Sequence, residues 1–214
     1  MADTRDKNAI LDRAANTAAP KRHGRLHTAA AACVLTASAC LMFTKSALAQ
    51  EPVDRPALVS ALEECESGAR ESALTARALG ACDVLMRSPD LDDAMRARVL
   101  VNRGLIAHRR GQAGPARDDL EQAVRLAPDL APAWLNLSAI RIKAGDASGG
   151  MEAARRAESL GADRAQSLFN QAIALETGGR YDAAYDAYVA AAAAAPGNAT
   201  MQAQPARFRR HQAG

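Results

Sequence analysis

The apolar positions of the chain recur at three- and four-residue spacing, and from Ala97 onwards the pattern itself repeats. Three segments of 34 residues align without a gap: 97–130, 131–164 and 165–198. Apolar spacing of this kind predicts a first helix in each segment, and a second helix follows a turn. The second helices are expected at 115–126, 147–160 and 181–194. The chain is therefore predicted to be an all-α array of helix-turn-helix units.

One column of the alignment contains only glycine, at Gly111, Gly145 and Gly179. A glycine directly after an apolar helix usually forms its C-terminal cap, so each is expected to end a first helix. Three further columns hold only small residues. This predicts that helices cross closely there, because a larger side chain would hold the backbones apart. These columns are Gly104, Ser138 and Ala172, then Ala116, Gly150 and Ala184, then Ala123, Ala157 and Ala191.

The repeated positions resemble the tetratricopeptide repeat family. The second segment keeps Trp134, Leu137 and Ser138 of the family's opening motif, and the third keeps Tyr188 and Pro196. The resemblance implies an α-solenoid of tetratricopeptide-like repeats, wound as a right-handed superhelix, with the first helices along a concave groove. Two short segments, ACDVL and VNRG, are similar to exported bacterial members of the family.

The three repeats leave further segments on both sides. Residues 59–96 are predicted to be a degenerate fourth repeat, and residues 50–58 a linker before it. Residues 199–214 are expected to cap the far end of the array, with Phe208 covering the last hydrophobic face.

Residues 1–49 are predicted to be a signal peptide for export to the periplasm. A basic segment precedes an apolar run at residues 28–43, and the small residues Ala47 and Ala49 predict cleavage before Gln50. The alternative is that the apolar run stays uncleaved and anchors the protein in the inner membrane. The run is short for a membrane span, which needs about 20 residues.

Export would leave Cys65 and Cys82 as the cysteines of the mature chain, since Cys33 and Cys40 lie in the signal. In the register of the repeats, Cys65 falls on the first helix of the degenerate unit and Cys82 on the second, both facing the seam. In an oxidising compartment this pair is expected to form a disulfide. In a reducing cytosol the same residues would be buried small hydrophobes.

Charge and motifs argue against several classes of function. The net charge of +3 comes from the first 49 residues, and the remainder is close to neutral, so no nucleic-acid partner is expected. His108 has no second ligand at helical spacing, and the acids Asp90, Asp92 and Asp93 are more typical of a helix cap than of a calcium loop. No catalytic residue, metal site or cofactor is predicted, and the chain is interpreted as non-enzymatic.

The resemblance places the candidate binding site on the first helices, for a protein or peptide of unknown identity. An asparagine recurs there at the period of the repeat, at Asn102, Asn136 and Asn170. Amide side chains both donate to and accept from an extended peptide backbone, so these three residues form a candidate asparagine ladder. The apolar residues beside the ladder would receive the side chains of the peptide: Val101, Leu105, Leu135, Ala139, Phe169 and Ile173.

Two other interpretations stay open at this point. In the first, the three asparagines do not bind a peptide and are ordinary helix-surface residues that bond between repeats. Alternatively, the array is a structural or assembly component of a cell-envelope complex, in which the end faces rather than the groove carry the binding.

Overall fold

The computed structural model describes residues 55–71 and 75–212, which form nine helices and no strand. In order they are α1 Arg55–Arg70, α2 Thr75–Arg87, α3 Asp93–Arg109, α4 Ala113–Leu126, α5 Ala131–Lys143, α6 Ala147–Ser159, α7 Arg164–Thr177, α8 Tyr181–Ala194 and α9 Ala199–Gln212. No helix in these two stretches is long and apolar enough to cross a membrane. The predicted signal peptide at 1–49, with its cleavage site, lies outside the described residues.

The helices pair as the repeat pattern predicted. α1 packs on α2, α3 on α4, α5 on α6 and α7 on α8, each pair contacts the next, and α9 packs on α8. The second helices of the three full repeats begin and end within two residues of their predicted bounds. The all-α helix-turn-helix solenoid is therefore confirmed.

Two helix starts show how local chemistry sets a boundary. α1 begins at Arg55, so residues 55–58, predicted to belong to the linker, are helical. Pro56 permits this because it stands in the first turn, where its missing N–H breaks no helical hydrogen bond. At the start of α3, a carboxylate oxygen of Asp92 accepts a hydrogen bond from the Met95 N–H at 2.7 Å. The acidic cluster thus supplies the helix cap that was predicted for it.

The glycine column forms the corners between the two helices of each repeat. Gly111, Gly145 and Gly179 have φ values of 76°, 85° and 73°, in the left-handed region that favours glycine. After Gly111, the N–H of Gln112 donates back to the carbonyl of Ala107 at 2.9 Å, and the same bond follows the other two glycines. This is the hydrogen-bond pattern of a Schellman cap, so the predicted helix ends are confirmed.

The columns of small residues lie where the two helices of a repeat cross. Ala116, Ala172 and Ala184 are fully buried. At Gly150, a Cβ atom would collide with Cγ1 of Ile142, so even alanine does not fit without a shift. The predicted close crossings are therefore present in the structure.

The N-terminal unit is closed by its cysteine pair. Cys65 on α1 and Cys82 on α2 are fully buried, their Cα atoms are 5.1 Å apart, and their sulfur atoms lie at disulfide-bonding distance. The Cα separation is within the usual range for a disulfide. The expectation that the two cysteines face the same seam is confirmed.

Three apolar clusters follow one another along the array. The first joins α1, α2 and α3, the second joins α3, α4 and α5, and the third joins α7, α8 and α9. The helix α6 belongs to none of them, because the residues that it buries are Gly150, Ala153, Ala154 and Ala157. The apolar core is therefore thinnest at α6.

Polar side chains add contacts between units. The guanidinium of Arg103 donates to both carboxylate oxygens of Asp119 at 2.8 and 2.7 Å, and to Asp83 on α2 at 2.8 Å. The hydrogen bonds to Asp119 raise the pKa of Arg103 above its usual value, despite partial burial of the guanidinium. Gln171 occupies the position of the third repeat that Arg103 occupies in the first, and its side-chain amide donates to Glu158 on α6 at 2.8 Å. First helices are thus tied to the second helix of the preceding unit.

Candidate peptide-binding groove

The inner side of the array is identified by which helices lie closest together. The first helices α1, α3, α5 and α7 contact one another in sequence, whereas the second helices in the described part of the chain make no comparable contact with each other. Because the first helices are closer together than the second helices, the array curves with the first helices inside. The candidate groove therefore runs along α3, α5 and α7.

The asparagine ladder lies on these helices, and all three of its side chains are half-buried. The amide nitrogen of Asn136 donates to the Pro132 carbonyl of its own helix at 2.8 Å. The amide nitrogen of Asn170 donates to the Leu135 carbonyl, on the neighbouring first helix, at 3.2 Å. Asn170 therefore bonds between repeats, as one of the open interpretations expected. That the asparagine ladder binds a peptide stays a prediction.

The apolar residues predicted beside the ladder differ in their accessibility. Ala139 is exposed, and Leu105 and Leu135 are half-buried. Val101 is only 7% exposed and belongs to the apolar cluster of α3, α4 and α5. Its prediction as a groove residue is wrong, because packing in the core leaves almost none of its surface for a peptide.

Phe169 and Ile173, the remaining predicted pair, line a cavity of about 800 Å³ at the C-terminal end of the groove. The last helix, α9, packs on α8 and contributes Phe208 and Arg207 to the same cavity. Its volume is within the usual range for ligand pockets. We call it the C-terminal pocket; its lining residues are Phe169, Ile173, Glu176, Tyr181, Tyr188, Gln204, Arg207 and Phe208.

Aromatic rings make up much of the C-terminal pocket. The ring of Tyr188 lies 5.6 Å from that of Phe169, near edge-to-face, and 5.7 Å from that of Phe208. Phe208 is only 8% exposed, so it covers the last hydrophobic face as predicted. The chain has one Trp, three Tyr and three Phe, and five of these seven aromatic residues lie between residues 169 and 208. That concentration is the sequence signal by which the pocket could have been predicted.

The charged lining of the pocket is one acid and one base. The hydroxyl of Tyr188 donates to Oε2 of Glu176 at 2.6 Å. Burial of the Tyr188 ring, together with this hydrogen bond and the negative charge of Glu176, raises the pKa of Tyr188 well above its usual value. Arg207, on α9, is exposed. Between these two charged side chains the structure has no ion pair within 4.0 Å.

A smaller hollow of about 320 Å³ lies between the end of α3, the start of α4 and the end of α5. His108, Arg117 and Lys143 are among its lining residues. Burial lowers the pKa of His108 below its usual value, and the positive charges of Lys143 and Arg109 lower it further. None of the predicted groove residues lines this hollow, which separates it from the C-terminal pocket.

The sequence model of the tetratricopeptide repeat matches residues 97–130. The comparison with curated protein sequences gave no significant match.

Several solved structures have a similar fold. A crystal structure of MamA protein superposes with a TM-score of 0.60 at 16% identity, covering 73% of this chain and 83% of that one. The first repeat domain of Spaghetti (RPAP3), bound to the HSP90 peptide SRMEEVD, has a TM-score of 0.52 at 15% identity, covering 57% of this chain and 98% of that one. The Arabidopsis OM64 repeat domain has a TM-score of 0.52 at 19% identity, covering 56% and 98%. At these identities the likeness concerns the fold alone.

Proposed function

Since this chain is a member of the tetratricopeptide repeat family, we propose that it is a non-enzymatic scaffold that binds a protein or peptide along its first helices. The observation that carries the proposal is the C-terminal pocket, which is lined by Phe169 and Ile173 of the first helix α7. A similar array, that of Spaghetti, is solved with a bound peptide. Binding sites are usually concave and combine apolar and aromatic side chains with a few polar groups, and this pocket contains both kinds of side chain.

The groove supplies both kinds of contact that an extended peptide needs. Ala139, Leu105 and Leu135 present apolar surface between the ladder residues. Asn136 uses one N–H within its own helix, and its second N–H and its oxygen are left for a backbone. We therefore expect the ladder to hold the backbone of the peptide and the apolar residues to hold its side chains.

Truncation of one residue from each contact type tests the proposal. Peptides would be selected on the purified full-length chain from a displayed random library, and the dissociation constant of the best one measured by fluorescence anisotropy. Asn136→Ala should weaken binding about tenfold, because it leaves peptide groups unpaired in a partly dry site. Phe169→Ala should weaken it at least as much through lost apolar contact.

The matched control is Arg125→Ala on α4, an exposed position on a second helix, which should leave binding unchanged. Circular dichroism checks that each variant is folded. If the selected peptide binds both groove variants as tightly as the original chain, the groove is not the site. Binding through the end faces, as a component of an envelope complex, is then the better proposal.

For its location, we propose export to the periplasm with cleavage before Gln50. The basic segment, the apolar run at 28–43 and the small residues before Gln50 support this proposal. Cys65 and Cys82, placed to form a disulfide, also suit an oxidising compartment. N-terminal sequencing of the protein from the periplasmic fraction should begin at Gln50. An intact chain in the membrane fraction would instead indicate anchoring through the apolar run.

A further inference from the structure

We propose that the C-terminal pocket receives a lysine or arginine side chain of the bound peptide, with its alkyl stem on the aromatic rings and its cationic head at Glu176. This inference rests on the proposed function and adds the chemistry of the partner at one subsite. It follows from three features of the pocket: its aromatic side chains, its fixed carboxylate and the absence, among the described residues, of a fixed partner for its one base.

The walls of the pocket suit a long apolar stem. Phe169 and Ile173 on α7 are half-buried and line the cavity. Tyr188 on α8 and Phe208 on α9 are only 3% and 8% exposed, so they hold these walls in place rather than offer surface to the stem. Tyr181 is 49% exposed at the same cavity, so its ring is accessible to a ligand. Aromatic rings attract cations through the negative potential of their faces. A side chain that is apolar along its length and positive at its tip matches this lining.

The acceptor for the cationic head is Glu176, near the end of α7. One of its carboxylate oxygens, Oε2, is held by the Tyr188 hydroxyl at 2.6 Å, and Tyr188 is itself only 3% exposed. The carboxylate of Glu176 is therefore anchored to the buried Tyr188, while Glu176 itself stays exposed to solvent. A group fixed in this way loses little side-chain entropy when a ligand binds.

Arg207 is the one base that lines the pocket, and its situation differs from that of Glu176. It is exposed, and in the described part of the chain it makes no ion pair with Glu176. A long exposed side chain with no fixed partner can turn toward solvent when a cation enters. Its charge would still oppose that cation, so neutralising it should favour binding.

The pocket can be tested without the natural partner by using three amino-acid derivatives as probes: N-acetyl-lysine methylamide, N-acetyl-norleucine methylamide and N-acetyl-glutamate methylamide. Each is titrated into the full-length chain, and binding is followed by the NMR shifts of the Phe169, Tyr188 and Phe208 rings. The lysine probe should bind about threefold to tenfold more tightly than the norleucine probe, which has the same stem without the charge.

Two substitutions locate the recognition. Glu176→Gln keeps an acceptor for the Tyr188 hydroxyl and should remove most of the preference for lysine over norleucine. Arg207→Gln should strengthen binding of the lysine probe about twofold, by removing a like charge. Glu152→Gln, an exposed acid on α6, is the matched control and should change neither value.

The outcomes separate this inference from the proposed function. Equal binding of lysine and norleucine probes, or tighter binding of the glutamate probe, overturns the inference even if library peptides bind in the groove. A preference for lysine that Glu176→Gln removes supports the inference, even if no library peptide is selected and the scaffold proposal fails.

Discussion

Replacing Arg103 with leucine should destabilise the array by about 2–4 kcal/mol, although leucine occupies the same column in the next repeat. The reason is the partner that the substitution leaves behind. Asp119 accepts two hydrogen bonds from Arg103, and its side chain is only 11% exposed. Without the guanidinium, a nearly buried carboxylate has no cation beside it.

The magnitude follows from the burial of the pair. Removing one partner of a fully buried ion pair costs about 3–5 kcal/mol, whereas an exposed pair contributes about 0–1 kcal/mol. The side chain of Arg103 is 25% exposed, so the expected loss lies between these two values and nearer to that of a buried pair. The second contact of Arg103, with Asp83, adds little because that carboxylate is 47% exposed.

The chain contains its own control for this prediction. In the next repeat the same two columns hold Leu137 and Ala153, both fully buried. The double variant Arg103→Leu with Asp119→Ala reproduces that apolar pair, so it should regain most of the lost stability. Arg98→Leu, at an exposed position of the same helix, should change stability by less than about 0.5 kcal/mol.

Urea unfolding followed by circular dichroism measures all four proteins. The single variant should unfold at a clearly lower urea concentration, and the double variant close to the original chain. The argument is refuted if Arg103→Leu is as stable as the original, or if the added Asp119→Ala recovers nothing. Either result would mean that an unpaired Asp119 carboxylate is not what destabilises the variant.

Three further results are expected from the same structure. Cys65 and Cys82 should resist alkylation in denaturant without reductant, checked by mass spectrometry, and reduction should lower stability by about 3 kcal/mol through the gain in unfolded-chain entropy. Ser138→Ala should be neutral or raise the melting temperature, because the fully buried hydroxyl has no hydrogen-bond partner in the described part of the chain. Burial and the charge of Lys143 lower the pKa of His108 from 6.5, so the folded state binds this proton less readily than the unfolded state. The stability due to neutral His108 should therefore be lost as pH falls below about 6.5, and His108→Gln should show a smaller drop in urea midpoint over that range.

The helix boundaries were predictable because their causes are local. A residue in the left-handed conformation, such as Gly111, ends an α-helix. The hydrogen bonds that close the turn at Gly111 join residues at most five positions apart in the chain. The columns of small residues were predictable because the close approach of a second helix backbone excludes larger side chains at those positions in every repeat. The contacts of Arg103 were not predicted, since its partners lie 16 and 20 residues away and only one of the three repeats carries the charges.

The groove was only partly predictable for a related reason. The repeat pattern placed Phe169 on a first helix, where it lines the C-terminal pocket. Glu176, Tyr188 and Arg207 were missed because the C-terminal pocket depends on where α9 packs, and α9 follows no repeat. Val101 was misplaced because the pattern identifies a helix face but not how deeply the neighbouring helix covers it.

The composition of α6 has a consequence for how the array comes apart. Repeat arrays open through the weakest joint between neighbours, and a helix that buries only one glycine and three alanines contributes little apolar surface to its joints. The apolar clusters on either side, one around α4 and one around α8, do not extend across it. Among the helices away from the two ends of the array, we therefore expect the amides of α6 to exchange with solvent first. The protein would then behave as two folding units joined at α6, each keeping its own core while the other opens.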